Sequence, residues 1–495
     1  MRLLLASSEV HPYSKSGGLA DMVAALAKAL GRAGHQVGLV TPLYRGIREK
    51  FPALRRMDYF LEVPLGNATV SAEVWTLEPS AGVTVYFIDH PGFYDRPGLY
   101  NEKNRDYPDN AQRFIFFSKC VVHLARYLTW RPQLVHVHDW QVGLVPLMLM
   151  HSHSREGWVE VPKTCLTIHN LAYQGSFSRA EYELVNLPMY YFNPNGVEFW
   201  GRLNCLKAAI SYADILTTVS PRYAREITTV EYGCGLDGAL RDRHERLTGI
   251  LNGVDYDEWN TTANPSLNHA YSGKNLKGKT ANKVELQREL GLPVDESIPI
   301  FGSITRLADQ KGVDIQLGAL EEMLPARMQF VLLGSGAPEF EQAYASLAKR
   351  YADKVAVTLG YNQGLSHQIE AGADFFLMPS RFEPCGLNQM YSHRYGTLPI
   401  VRVTGGLDDS VTDLTEDELE ANGIKFHDYS VRALAKAMRK ALVLFERKDL
   451  LQHLQHNAMG LDFSWSRTAD TYLAAYEQAL GTELELKGKP KVNIT

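Results

Sequence analysis

Short apolar and β-branched runs alternate with amphipathic stretches along nearly the whole of this 495-residue chain, and that rhythm constrains the fold more than any single motif. Strands buried on both faces and joined by helical crossovers make parallel sheets, so the sequence predicts an α/β protein. In the first half the clearest strands are at 3–6, 36–40, 84–89, 134–138, 165–169, 215–219 and 247–251. The rhythm breaks at 260–283, NTTANPSLNHAYSGKNLKGKTANK, where Asn, Ser, Gly and Lys crowd together as in a connection between domains. It resumes with strands at 299–304, 328–333, 355–359, 375–378 and 398–403, separated by helical patterns such as 313–324 and 340–351. A single core rarely organises this many residues, so two doubly wound domains are expected: 1–253, and 254–460 with the connection 254–297 included. An amphipathic run at 467–480 adds a helix that belongs to no crossover, and 481–495 reads as a tail.

Composition narrows the partners. A net charge of −5 and a pI near 6.4 provide no basic field for nucleic acid and no strong attraction to anionic membranes. A neutral polysaccharide fits that surface. The apolar start MRLLLA is interrupted by Ser7, Ser8 and Glu9 before a signal-peptide core could form, and no stretch approaches the ~20 apolar residues of a membrane span. A cytoplasmic protein is expected, or a plastid one if a transit peptide has been trimmed. The five cysteines contain no C-x-x-C pair, so reduced thiols are expected and neither a disulfide framework nor a zinc site is indicated.

In an open parallel sheet ligands lie outside the carboxyl ends of the strands, and three motifs fall there. Lys15-Ser16-Gly17-Gly18 follows the first strand and opens a helix running to about Leu30. Its glycines let phosphates approach the backbone, the first-turn N–H groups are donors, and Lys15 adds a full charge. A plain tight turn into a helix has the same letters. Arg306 and Lys311 lie five positions apart in TRLADQKG, close enough for one loop to bring both cations onto a diphosphate, although such a pair is also at home in solvent. In Arg381-Phe382-Glu383-Pro384-Cys385-Gly386, Pro and Gly shape a turn before a helix starting near Gly386, and Glu383 is an acceptor for sugar hydroxyls. Cys385 reads as a small turn residue, because no neighbouring His pairs with it as a nucleophile would need. His138 and His169 end two strands, and His169 is a candidate sugar contact. His136 and His138 could bind metal or pack in the core, and without further ligands metal is set aside.

Weaker matches are rejected. Gly334-Ser335-Gly336 lacks the third glycine of a dinucleotide fingerprint and reads as a strand-to-helix turn. Asp255-Tyr256-Asp257 reads as a turn with local caps, and the triplets starting at Asn67 and Asn260 match glycosylation sites by chance.

Taken in order, KSGGLADM, HVHDW, HNLAYQG, NGVD, TRLADQKG, RFEPCGLNQMY, YGTLPIV and TGGLDDSV closely resemble bacterial glycogen synthases and plant starch synthases, over residues 1 to about 480. The resemblance implies a GT-B fold, with two Rossmann-like domains facing across a deep cleft and the C-terminal helix, 461–480, crossing back to the first domain from DFSW at 462–465. It implies retaining transfer of glucose from ADP-glucose to the non-reducing end of an α-1,4-glucan (glycogen, starch or malto-oligosaccharides), with no cofactor and no metal.

It also assigns residues. Lys15 and Gly18 go to the donor diphosphate and glucosyl region, Arg306 and Lys311 to the phosphates, and Glu383, Cys385 and Gly386 to the glucose. His169 and Asp139 would border the reacting sugar. Asn252, Tyr361, Leu387 and Asn388 would lie near sugar or nucleoside, and Gly405 and Gly406 would shape the second domain's side of the cleft. Ser16, Met22, Asn388 and Asp408 depart from the commonest family letters, and Asn388 bears on nucleotide contacts. A UDP-glucose-using synthase, a nucleotide-sugar epimerase on the same fold and a non-catalytic glucan-binding scaffold are the alternatives. A phosphorylase would need a pyridoxal-binding lysine motif, which is missing. Oligomeric state is not encoded legibly.

Overall fold

The computed structural model describes residues 1–103 and 105–481, and the tail read at 481–495 falls, apart from Gly481, outside the described residues. The chain divides into two compact units.

The first unit takes in 1–219, 224–253 and the helix Trp465–Gly481. Its sheet has nine strands, of which seven run parallel in the order Leu247–Gly249, Ile215–Thr218, Lys163–Ile168, Leu134–His138, Arg2–Ala6, Gln36–Pro42 and Val83–Asp89. The central strand is apolar and inaccessible throughout Leu3–Ala6, as a strand covered on both faces must be. Ala68–Ser80 and Arg55–Leu65 extend the sheet antiparallel as a long hairpin that the strand rhythm did not announce. Only the second half of Arg55–Leu65 buries alternate residues, so its period-2 signal is short. The helix Trp465–Gly481 packs against the helix Gly18–Arg32 and the strand Lys163–Ile168. It buries Tyr472 and Tyr476, and the Tyr476 hydroxyl meets His136 Nδ1 at 2.8 Å.

The second unit, 220–223 with 254–464, has six parallel strands. Their order is Val355–Leu359, Gln329–Gly336, Ile300–Leu307, Phe375–Met378, Leu398–Arg402 and Ile424–Phe426. One face is covered by a core including Leu320, Phe330, Phe375 and Met438, the other by Leu286, Val331, Ile369 and Phe376. Two expectations are corrected here. The stretch read as irregular connection becomes helical at Lys277–Glu289, whose inward face carries Lys279, Asn282, Lys283 and Gln287 beside Leu286. A buried face made of hydrogen-bonded polar groups has no hydrophobic period to read. Gly334 and Gly336 are not in a turn but within the strand Gln329–Gly336, where a Cβ on either would collide with a carbonyl of the neighbouring strand, Thr305 or Leu307. The Asp255 turn is as read, with Asp257 N–H donating to Asp255 Oδ1 at 3.0 Å. No helix among the described residues is long and apolar enough to cross a membrane.

Candidate functional site

Chemistry gathers at the carboxyl ends of the parallel strands in each unit, where backbone must leave the sheet and polar groups become available.

In the first unit, the strand Arg2–Ala6 leads to the Lys15 turn. Gly17 stands at the start of the helix Gly18–Arg32, with no side chain capping it. A Cβ on Gly17 would meet nothing within 4 Å, and its φ of −158° suits any residue, so the fold itself does not require glycine there. The space is left open. Lys15 Nζ lies 2.8 Å from Asp21, both partly exposed. Just before the helix, Ser16 and Gly17 N–H donate to Glu9 Oε2 at 2.5 and 3.3 Å. Glu9 is the functional candidate that sequence reasoning missed. The one available signal was an acid in the Ser-Ser-Glu run that directly follows the first strand.

Asp139 follows the strand Leu134–His138 with φ +58° and ψ −169°, a region that glycine occupies and other residues enter at a cost of about 1–3 kcal/mol. Its Oδ1 accepts the His169 N–H at 2.7 Å, which ties together the ends of two adjacent strands. Burial pushes the Asp139 carboxyl up to about 7, although the His169 and Asn170 amides pull it down. His169 is pushed down to about 3 by burial and is neutral at working pH, and its Nε2 meets His138 Nδ1 at 3.1 Å. Asn252, after the strand Leu247–Gly249, is buried, and its Oδ1 has no hydrogen-bond partner among the described residues. His136 resolves as a core histidine, satisfied by Thr167 Oγ1 at 2.6 Å and by Tyr476. No cluster of His, Cys, Asp and Glu among the described residues has the makings of a metal site.

Asp139 supports a pH prediction. Its folded pKa lies above the ordinary carboxylate value, so between about 4 and about 7 the native state keeps a proton that the unfolded chain has lost. Stability from this group is therefore complete at low pH and declines as pH rises through 7. The ionised acceptor is populated only above about 7, so kcat/KM should rise with pH through that value. Asp139→Asn should flatten this limb; a limb that persists unchanged in the variant assigns the titration elsewhere.

In the second unit, Arg306 sits exposed near the end of the strand Ile300–Leu307, and Lys311 closes the 3-10 turn Asp309–Lys311. Lys311 Nζ donates to Glu383 Oε2 at 2.6 Å, and Ser380 Oγ donates to the same oxygen at 3.0 Å. Glu383 is 7% exposed at its side chain and Lys311 25%, so the lysine faces outward from a fixed anion. Gln310 holds these parts in register: its Oε1 accepts from Arg306 at 3.3 Å, its Nε2 donates to the Phe382 carbonyl at 3.4 Å, and its own carbonyl accepts the Arg381 N–H at 2.8 Å. Gly312, at φ +69°, lets the lysine turn press on Pro379, whose carbonyl a Cβ would strike.

The glycine-rich stretch has a comparable task. Gly406 N–H donates to the Glu383 and Pro384 carbonyls at 3.2 and 3.1 Å, and a Cβ on Gly405 or Gly406 would collide with the carbonyl of Glu383 or Cys385. Cys385 is buried in this turn, Gly386 takes φ +71°, and Leu387 precedes the helix Asn388–Tyr395, which begins two residues later than expected. Asn388 Nδ2 donates to the Ile304 carbonyl at 2.7 Å and so ties that helix start to the Arg306 strand. Tyr361 is 84% exposed after the strand Val355–Leu359, an open aromatic face. The structure thus brings Arg306, Lys311, Glu383, Cys385, Gly386, Leu387, Asn388, Gly405 and Gly406 together in one unit. Lys15 and Gly18, in the turn and helix start after the first strand, and Asp139, His169 and Asn252, just past strand ends, belong to the other.

Residues 2–242 match the starch synthase catalytic domain family and 286–458 the glycosyl transferases group 1 family. A glycogen synthase of an Anaeromyxobacter species is 46% identical over 477 residues, covering 96% of this chain and 99% of that protein. Glycogen synthase 1 of Geobacter metallireducens is 43% identical over 98% of this chain and 97% of its own length. The catalytic domain of starch synthase IV from Arabidopsis thaliana, solved bound to ADP and acarbose, superposes with a TM-score of 0.87 at 34% identity, covering 97% of this chain and 99% of that one. A sucrose-phosphate synthase from Thermosynechococcus elongatus shares the fold at a TM-score of 0.61 and 18% identity, over 96% of this chain and 98% of its own.

Proposed function

This chain belongs to the glycogen and starch synthase family of GT-B glycosyltransferases, and we propose that it transfers glucose from ADP-glucose to the non-reducing end of an α-1,4-glucan with retention at the anomeric carbon. The observation that carries the reading is the Lys311–Glu383 pair beside Arg306, held by backbone contacts that glycine alone permits. Arg306 and Lys311 stabilise the charge that develops on the departing diphosphate, and such electrostatic stabilisation is usually the strongest single source of rate in a site of this kind. Glu383, already engaged by Lys311 and Ser380, serves as a hydroxyl acceptor that orients glucose rather than as a nucleophile. The acceptor O4 attacks from the face the diphosphate leaves, the anomeric C–O bond breaks, and a diphosphate oxygen takes the acceptor's proton. No residue need become covalently glucosylated, unlike a retaining glycosidase, whose two carboxyls stand ~5 Å apart.

The ADP bound to starch synthase IV supports the choice of nucleotide. We place the reaction in the cytoplasm, in keeping with the bacterial glycogen synthases to which the chain is similar. A competition assay tests the donor. ADP-glucose and UDP-glucose are supplied together with a glycogen primer, and the nucleotides released are quantified. ADP should dominate; predominance of UDP overturns the donor assignment, and nucleotide-sugar turnover without glucan growth overturns the reaction.

A further inference from the structure

The Lys15 turn resembles an anion-binding concavity, yet it is already filled from within. Glu9 is 3% exposed, and its two carboxylate oxygens take four donors. Oε2 accepts the Ser16 and Gly17 N–H groups, while Oε1 accepts the Ser16 hydroxyl at 2.7 Å and the Tyr100 hydroxyl at 2.6 Å. Tyr100 is itself held to Ser8 Oγ at 2.6 Å. A carboxylate with this many donors, buried against the end of the first strand, is a fixed part of the turn rather than a movable tenant.

We infer that Glu9 is a positioning residue of the transfer reaction: its carboxylate sets the shape of the Lys15 turn before substrate arrives and keeps the donor diphosphate off the Ser16 and Gly17 amides. The phosphates are then left to Lys15 Nζ and the first-turn amides of the helix Gly18–Arg32, and they are directed toward productive registration. Without Glu9 the two amides become vacant, and a diphosphate can fall into them in a dead-end pose. The inference rests on the proposed transfer from ADP-glucose and on the diphosphate-binding role that the family resemblance implies for the Lys15 turn.

The test compares Glu9→Ala and Glu9→Gln with the parent enzyme, using thermal melting, kcat and KM for ADP-glucose, and the Kd for ADP. Glu9→Ala should lower kcat at least thirtyfold and also lower KM and the ADP Kd, because non-productive binding tightens while turnover falls. A merely structural residue would lower kcat without tightening ADP. Formate at tens of millimolar, the smallest carboxylate, should restore part of the kcat and weaken ADP again. Glu9→Gln keeps an oxygen for the two amides, and its NH₂ can donate to the Ser16 and Tyr100 hydroxyls, so it should retain kcat within about fivefold.

Unchanged kcat in Glu9→Ala, or lost kcat with a weakened ADP Kd, overturns the inference. So does a Glu9→Gln enzyme that melts like the parent but is as inactive as Glu9→Ala, since charge rather than shape would then be at work. If Glu9→Ala does not fold, Ser16→Ala, which removes one of the four donors, should show the same joint fall of kcat and KM in smaller measure; a parent-like Ser16→Ala then counts against it. Lys15→Ala run alongside separates the failures: an active Lys15→Ala removes the turn's role altogether, while an inactive one beside a fully active Glu9→Ala removes Glu9 alone.

Discussion

Lys311→Ala should reduce kcat at saturating donor by a hundredfold or more, equivalent to about 3 kcal/mol of transition-state stabilisation. The side chain is a point charge held 2.6 Å from Glu383 and partly open to solvent, so it can contact a substrate phosphate without moving far. Truncation has a second effect: it strips the cation from a nearly buried carboxylate to which the Ser380 hydroxyl still donates, and some loss of stability follows. The double variant Lys311→Ala/Glu383→Gln removes that buried charge and should recover melting temperature without recovering turnover. Near-parental kcat in Lys311→Ala would refute the assignment of the leaving-group cation.

Lys283→Ala should cost about 3–5 kcal/mol of stability, because it strips the partner from a buried carboxylate. Lys283 Nζ donates to Asp374 Oδ2 at 2.7 Å and to the Glu296 carbonyl at 2.9 Å, and the same Asp374 oxygen accepts the Ile300 N–H at 2.8 Å, where the first strand of the second unit begins. Next to it, Lys279 is buried on the Glu370 and Ala371 carbonyls and Thr397, and burial pushes it down to about 7. At about 2–4 °C per kcal/mol for a unit of this size, melting should fall by roughly 6–20 °C. A shift under about 2 °C would show that the pair is dispensable.

The lysines of this helix also explain where sequence reading stopped. Parallel strands were legible because a strand covered on both faces must be apolar along its length, and Leu134–His138, Val355–Leu359 and Phe375–Met378 have the bounds the sequence suggested. Lys277–Glu289 was not, because its buried face is satisfied by hydrogen bonds and ion pairs, which leave no periodic trace. The hairpin Arg55–Leu65 with Ala68–Ser80 alternates too weakly to announce itself, and the strand Ile424–Phe426 is too short to.

At the site, residue types at strand ends made Lys15, Arg306, Lys311 and Glu383 visible as candidates, since charge beside glycine in a turn is conspicuous. The relations among them were not. That Lys311 rests on Glu383, that Gln310 joins Arg306 to the Phe382 loop, and that Glu9 fills the Lys15 turn are side-chain geometries that depend on how separate segments meet. Asp139 was reached through family resemblance, whereas its left-handed backbone and its hold on His169 are independent signs of a strained functional position.

The proposal that Arg306 and Lys311 act on one and the same leaving group is tested most directly by a double-mutant cycle in kcat/KM for ADP-glucose across the parent, Arg306→Ala, Lys311→Ala and the double variant. Groups that serve a single charge as a unit are not independent. The double variant should therefore lose markedly less than the product of the two single losses, with a coupling of about 1 kcal/mol or more. Losses that multiply within error would mean that the two cations act on different things, and a shared diphosphate as the centre of the reaction would be contradicted.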